Sequence, residues 1–580
     1  MKRSFHFFFL FCFSGLYAQT DLPRYMTAYE RELLSTYTFP GASERDIVTP
    51  PGGSLRAAAE WEEIQTLLVR WGSYSSEIRQ IINAAKDECE VLILCTDSTV
   101  VKNNLISNGI QINSNIKYLE TPTNSVWMRD YAANTVYRND VDSILLVDWI
   151  YNRPRPSDDS SPTAVANYKG IPLYKTTQAP YDLVHTGGNY MSDGFGNAFS
   201  SKLILEDNGP LMPFNTSNHS EQMIDSIMKL FMGIESYIKM ETLPYDGIHH
   251  IDMHMKLLDE ETLLVGEYPS GIADGPQIEA NLQYVLSNFN SKWGTPFKVI
   301  RIPMPPQSNG SFPPTGDYLT YTNFVFVNKT IIMPVYRPQY DTTAIRIVKS
   351  SLPGYRVVGI DSDNIIQASG AIHCITHSIG VNDPLLISHQ RLNDTYDSVN
   401  PYVVEAFIKH NSGISAAALY WTIDTAAGYN VVPMSAGAQA DTYTGLIPAQ
   451  AAGTEVFYYI EGSSVSGKTL ARPMPAPQGY WKFNVLFQPS GLMESTDRLL
   501  EPYPNPGKGI TCIPFRSVSG GRVSVALYNA FGAKVRSIYE GSIMPGEKNF
   551  FTDCTTLEQG VYFVRVQTAN GGYTKKLLVK

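Results

Sequence analysis

Ile64-Gln-Thr-Leu-Leu-Val-Arg-Trp71, then residues 76–86 with apolar side chains at helical spacing, then Glu90-Val-Leu-Ile-Leu-Cys95, read as strand, helix, strand. Short apolar runs flanking an amphipathic helix are the repeating unit of an α/β domain. Further along, Ile144-Leu-Leu-Val147 is another such run, and residues 220–232 return to helical spacing, with Asn218 the expected cap. This mixture places an α/β domain over residues 56–392. Beyond Asn393 the helical spacing is gone. Residues 403–410, 416–423 and 455–460 alternate between turn residues, which predicts an Ig-like β-sandwich over 393–486 with a loop at Pro473-Met-Pro-Ala-Pro-Gln-Gly479. A linker over 487–500 leads to a third module, 501–580, again all strand: 523–528, 535–539, Gly560-Val-Tyr-Phe-Val-Arg-Val566 and Lys575-Lys-Leu-Leu-Val-Lys580.

At about 150 residues per domain, 580 residues have room for several. Lys and Arg number 45 against 55 Asp and Glu, a net charge of −10, which argues against a surface that displaces counterions from nucleic acid. A hydrophobic content of 43% excludes a disordered chain. The first residues read as a secretory leader over 1–18: Lys2 and Arg3 are the positive start, Phe7 to Phe13 the apolar run, and Ala18 the small residue for cleavage. That run is too short to span a membrane, and no later one is long enough, so an extracellular protein without a transmembrane segment is expected. Residues 19–55 form an N-terminal segment with no assigned pattern. Of six cysteines, Cys12 departs with the leader. Cys89 with Cys95, and Cys512 with Cys554, are possible pairs, leaving Cys374 as the odd thiol. The chain has no CxxC pair, which argues against structural zinc.

Four islands concentrate chemically capable residues: Trp127-Met-Arg-Asp130, Gly247-Ile-His-His-Ile-Asp-Met-His254, Tyr321-Thr-Asn323 and Gly370-Ala-Ile-His-Cys-Ile-Thr376. If the second is a strand, His250, Asp252 and His254 share one face. Spacing alone leaves three readings open: a metal site, an acid–base histidine beside a carboxylate, or buried structure. Cys374 favours the second, because a thiolate beside a histidine suits covalent catalysis. Two further carboxylates, Asp130 and Asp252, suit a planar guanidinium, whose N–H forks match carboxylates in pairs.

With Arg56-Ala-Ala-Ala-Glu-Trp-Glu-Glu63, Tyr151-Asn-Arg-Pro-Arg-Pro156 and His185-Thr-Gly-Gly-Asn-Tyr190, these islands resemble the Porphyromonas-type peptidylarginine deiminase and agmatine deiminase family. The resemblance implies a five-bladed α/β propeller (the pentein fold), although no repeat is visible in the sequence. It also implies that Asp130 and Asp252 grip a guanidinium, Cys374 attacks its carbon, and His250 protonates the departing ammonia and then activates water. Asn323 would support the cysteine, and Trp127 and Ile248 would line the pocket. In this family arginines of the 152–156 segment bind a substrate carboxylate. Arg153 and Arg155 therefore point to peptides ending in arginine, a group that agmatine lacks. No cofactor and no metal are implied. The last module, through Tyr503-Pro-Asn-Pro506, Leu527-Tyr-Asn-Ala530, Gly560-Val-Tyr-Phe563 and Lys575-Lys576, resembles the C-terminal sorting domain of type IX secretion, which implies export and that machinery as a partner. The competing expectations are agmatine deiminase, a metal-dependent hydrolase built on His250, Asp252 and His254, and a surface binding protein without catalysis.

Overall fold

Five small sheets succeed one another along residues 55–380, each started by an antiparallel pair and extended by a parallel strand. The computed structural model describes residues 22–34, 36–39, 46–210, 214, 216–488 and 497–580. The expected leader and Cys12 lie outside them. Blade one contains Ile64–Arg70, Glu90–Cys95 and Ile116–Glu120. Blade two contains Leu55–Ala57, Asn134–Arg138, Ser143–Tyr151 and Leu173–Thr176. Blades three, four and five run Met191–Ser192, Asn197–Ser201, Ser236–Met240; Met255–Leu257, Thr262–Glu267, Lys298–Pro303; and Val325–Val327, Thr330–Val335, Arg356–Asp361. The ring closes when Thr376–Gly380 pairs antiparallel with Ile64–Arg70, so the last strand completes the first blade.

A helix makes each parallel crossover: Ser75–Ala85, Pro156–Lys169, Glu221–Met232, Gly275–Asn288 and Pro338–Ser351, with Ser98–Ser107 making the second one of blade one. The third shows how the sequence sets its limits. Ser220, rather than the expected Asn218, is the cap, its side chain accepting the Met223 N–H. The helix stops at Gly233, which has φ 71° and sits where a Cβ would lie 2.0 Å from the Leu55 carbonyl oxygen. Ile224, Ile227, Met228, Phe231 and Met232 form the buried face; burial of each such side chain contributes about 1.5–3 kcal/mol.

Residues 386–486 form two antiparallel sheets over one apolar core. The first sheet begins with Leu386–Ser388, paired to Tyr402–Lys409, so it draws a strand from upstream of the expected boundary at 393. A separate unit, 487–580, holds two further antiparallel sheets of its own. No helix among the described residues is long and apolar enough to cross a membrane.

Cys89, Cys95, Cys374, Cys512 and Cys554 are all free thiols. The two candidate disulfides are therefore corrected. Cys95 ends the strand that Cys89 immediately precedes, and an extended strand carries its ends too far apart for an S–S bond. Thr511, not Cys512, faces Cys554, with Oγ1 3.3 Å from its sulfur; alternation along the strand turns Cys512 to the other side.

Candidate active site

Each blade is entered through a short irregular segment, and these five segments meet. Met128–Tyr131 precedes blade two, the turn Gly187–Asn189 blade three, Ile251–Met253 blade four, 320–324 blade five, and 371–375 the closing strand of blade one. They carry Asp130, Gly188, Asp252, Asn323 and Cys374. His250 adjoins the third as its flanking residue, in extended conformation. The expected strand through His250, Asp252 and His254 is thus a tight turn. His250 and Asp252 still join the cluster, but no group of three or more His, Cys, Asp or Glu side chains among the described residues could hold a metal ion.

The centre of the cluster is occupied by a residue the sequence did not flag, Arg24. Its side chain is fully buried and makes a two-pronged ion pair with Asp130, Nε and Nη2 each 2.9 Å from a carboxylate oxygen. Nη2 also lies 3.2 Å from Asp252 Oδ2, and Nη1 2.6 Å from Cys374 Sγ. A Cβ on Gly188 would meet Arg24 Nη2 at 1.8 Å, His250 Nδ1 at 2.6 Å and Asp130 Oδ1 at 2.8 Å. Those three atoms therefore crowd one point that only glycine leaves open. On the opposite side a Cβ at Gly370 would strike the Trp127 ring at 2.5 Å and crowd Arg24 Cδ at 3.2 Å. Trp127 is itself buried, with its indole N–H donating to the Leu22 carbonyl.

The remaining expected residues arrange around this guanidinium. Asn323 Oδ1 accepts the His373 N–H and lies 3.2 Å from Cys374 Sγ, while its amide nitrogen donates to the Asp252 carbonyl, so it ties the cysteine loop to the aspartate loop. His250 has a hydrogen-bond partner for neither ring nitrogen among the described residues; Nδ1 stands 3.6 Å from Asp130. Ile248 is buried and borders an open cavity of about 390 Å³ shared with Tyr25, Arg153 and His249.

Arg153 and Arg155 hold the stretch of chain, residues 22–30, that carries Arg24. Arg153 Nε donates to the Arg24 carbonyl oxygen at 3.2 Å. Arg155 pairs with the Glu30 carboxylate at 2.7 Å and donates to the Pro23 carbonyl. Glu30 in turn caps the helix Ala28–Leu34 by accepting the Thr27 N–H.

Behind Asp252 lies a second layer that was missed, although Glu60, Arg129 and His373 stand inside the quoted motifs and Lys256 lies two residues beyond one of them. His373 Nδ1 meets Asp252 Oδ2 at 2.9 Å and its Nε2 meets Glu60 at 2.8 Å; Glu60 also pairs with Lys256 and with Arg129. No local pattern signals this layer, because its members come from the chain before blade one, two blade entries and a blade strand.

The electrostatics follow from burial and pairing. Burial raises the Cys374 thiol above the range of free cysteine; the Arg24 cation opposes this, and Asp252 and Asp130 add to it. Burial would raise Asp252 too, but the Arg24 charge and the His373 hydrogen bond outweigh it and keep the carboxylate ionised. His250 is pushed well below its ordinary value by burial and then by the Arg24 cation, so it stands neutral. A neutral imidazole, a thiol and two carboxylates around a planar cation can add sulfur to the central carbon and protonate a departing nitrogen.

The model of the Porphyromonas-type peptidyl-arginine deiminase family matches residues 56–379, and that of the secretion system C-terminal sorting domain matches 501–580. A relative from Vibrio parahaemolyticus described as a "Putative agmatine deiminase" is 24% identical over 372 residues, 57% of this chain and 98% of its own. Another so described, from Legionella pneumophila strain Philadelphia 1, is 28% identical over 287 residues, 45% of this chain and 74% of its own. A crystal structure described as the "Putative Arginine Deiminase from Porphyromonas gingivalis" superposes with a TM-score of 0.50 at 18% identity, covering 57% of this chain and 99% of the other. The overlap extends the pentein fold to residues of the propeller here. The sorting domain marks the protein for export to the cell surface or beyond through the type IX system.

Proposed function

This chain belongs to the Porphyromonas-type peptidyl-arginine deiminase family, and from that premise we propose that it acts on peptidyl-arginine, preferably at a C-terminus, releasing citrulline and ammonia through a thiouronium on Cys374. The family chemistry is guanidino deimination, hydrolysis of a C–N bond in an amidine. Two readings of the substrate compete, agmatine and peptidyl-arginine. The observation that favours the second is Arg153 donating to the main-chain carbonyl of the arginine in the pocket. At a chain end that oxygen belongs to a carboxylate, and agmatine has no oxygen there at all. Arg155 supports the same reading, since its partner is already a carboxylate, that of Glu30.

In this reading Asp130 and Asp252 hold the guanidinium flat against Cys374. An arginine side chain entering the site brings the positive charge that draws the buried thiol toward thiolate. Sulfur adds to the guanidinium carbon, and His250, beside the nitrogen that departs, manages its proton. The same imidazole then takes a proton from the water that displaces sulfur. Proton management of this kind is worth about 10²–10⁴-fold in rate. Asn323 keeps the cysteine loop in register, and Trp127 and Ile248 wall the pocket.

Citrulline release from a peptide ending in arginine, from the same peptide amidated, and from agmatine tests the reading. The free acid should turn over fastest. Arg153→Ala combined with Arg155→Ala should raise KM for the free acid and spare the amide. Faster agmatine turnover by the native enzyme overturns the proposal.

A further inference from the structure

Arg24 belongs to this chain, yet it makes every contact that a substrate guanidinium would make. Both aspartates pair with it, Cys374 Sγ lies 2.6 Å from Nη1, and His250 Nδ1 shares with Nη2 the space above Gly188. The main chain on either side is held as well: Trp127 and Arg155 donate to the Leu22 and Pro23 carbonyls, and Arg153 to the Arg24 carbonyl. Glu30, six residues on, supplies the carboxylate that meets Arg155. The segment thus presents in one piece the guanidinium, the carbonyl and the anion of an arginine-terminated peptide. The segment lies before the first blade strand at Leu55, and Leu34 at its far end packs on Ile150 and Val184.

We propose that Arg24 is a modification site and the first substrate of the enzyme, deiminated once in cis. The proposal rests on the deiminase reading and adds a substrate within the same chain. The Cys374 S–H adds across the Arg24 carbon, sulfur forming the new bond. The C–Nη2 bond breaks, and the nitrogen leaves as ammonia with its proton handled by His250. Water then adds to the same carbon, the C–S bond breaks, and the thiol returns. The sum is arginine plus water giving citrulline plus ammonium; water is the sole co-reactant, and the 390 Å³ cavity bordering Tyr25 and His249 opens beside the segment. Tethering replaces affinity, because the segment is delivered at an effective concentration of order millimolar without diffusing in. The product matters as much as the step. A ureido group carries no charge, so both ion pairs to Asp130 and Asp252 vanish, and the two buried carboxylates are left to attract an incoming cation. Self-modification therefore releases the occupant and opens the site.

Peptide mapping by mass spectrometry of the full chain tests this directly. Citrulline is expected at position 24 in the native protein and arginine in Cys374→Ala, with the native extent independent of protein concentration. Native enzyme added to Cys374→Ala should leave its buried Arg24 unmodified. Arg24→Lys keeps a cation that cannot be deiminated, so its initial rate on an arginine-terminated peptide should fall on the order of tenfold below that of Arg24→Gln. Arginine persisting at 24 in a native enzyme that citrullinates the peptide overturns the self-modification and leaves the deiminase reading standing. If the peptide is not citrullinated either, both fail.

Discussion

Two regions of the catalytic unit bury polar groups, and they treat them in opposite ways. At the seam between propeller and sandwich, His389 has both ring nitrogens engaged, Nδ1 2.6 Å from the Glu405 carbonyl oxygen and Nε2 2.9 Å from the Tyr458 hydroxyl. Its neighbours are equally settled: Ser388 donates to Glu260, and Arg472 to the Trp61 carbonyl. At the centre of the ring, His250 is as deeply buried and, among the described residues, neither nitrogen has a hydrogen-bond partner, and the free thiol of Cys374 lies against a cation. An unpaired buried polar group costs about 1–3 kcal/mol, so a fold that keeps one there retains it for a purpose other than stability. Around His389 the engaged polar groups join the two sheet systems, whereas the unpaired imidazole of His250 faces the guanidinium at the ring's centre.

The sharpest way to break this contrast is at the shared carboxylate. Asp252→Asn leaves shape intact but removes the charge that faces both the guanidinium and His373, so kcat/KM should fall by roughly 10²–10⁴-fold, and the loss of one partner from the buried pair with Arg24 should lower the melting temperature as well. Steady-state kinetics beside a melting curve measures both. A smaller effect is expected one layer back. Glu60→Gln weakens a charged hydrogen bond to His373, which positions Asp252, so kcat should drop about 10–100-fold with KM nearly unchanged. A rise in KM instead would mean that Glu60 shapes the pocket rather than the reacting groups. The smallest change in activity belongs to the seam. His389→Phe should cost about 1–3 kcal/mol in denaturant unfolding and leave kcat/KM where it was. A loss of turnover there would erase the distinction between the two regions.

Much of this was legible in the sequence, for reasons that can be traced. The run at residues 90–95 reads as a strand and is one, because an apolar stretch bounded by charged and turn residues has few other homes. The helix at 221–232 was legible through its periodic face, although its cap lay two residues later than expected. Asp130, His250, Asp252, Asn323 and Cys374 are brought together because each lies in or beside a segment that enters a blade. The five blades themselves were invisible: their strands range from two residues, at Met191–Ser192, to nine, at Ser143–Tyr151, so no fixed period survives in the sequence. Arg24 gave no signal either. Leu22-Pro-Arg-Tyr25 has no periodicity and matches no motif, and its meaning arises only from contacts more than 100 residues away. Arg153 and Arg155 were read as an anion clamp, and here they hold a carbonyl and a glutamate of the chain itself.

Cys374 stands two residues before the strand that zips residues 376–380 onto residues 64–70. During synthesis the ribosome makes the acidic half of the site more than 100 residues before it makes the sulfur, and the sulfur is fixed in place only when that final strand docks. If Cys374 is the nucleophile proposed above, a half-made ring carries it unarmed, and chain order holds back its chemistry until the circle is shut.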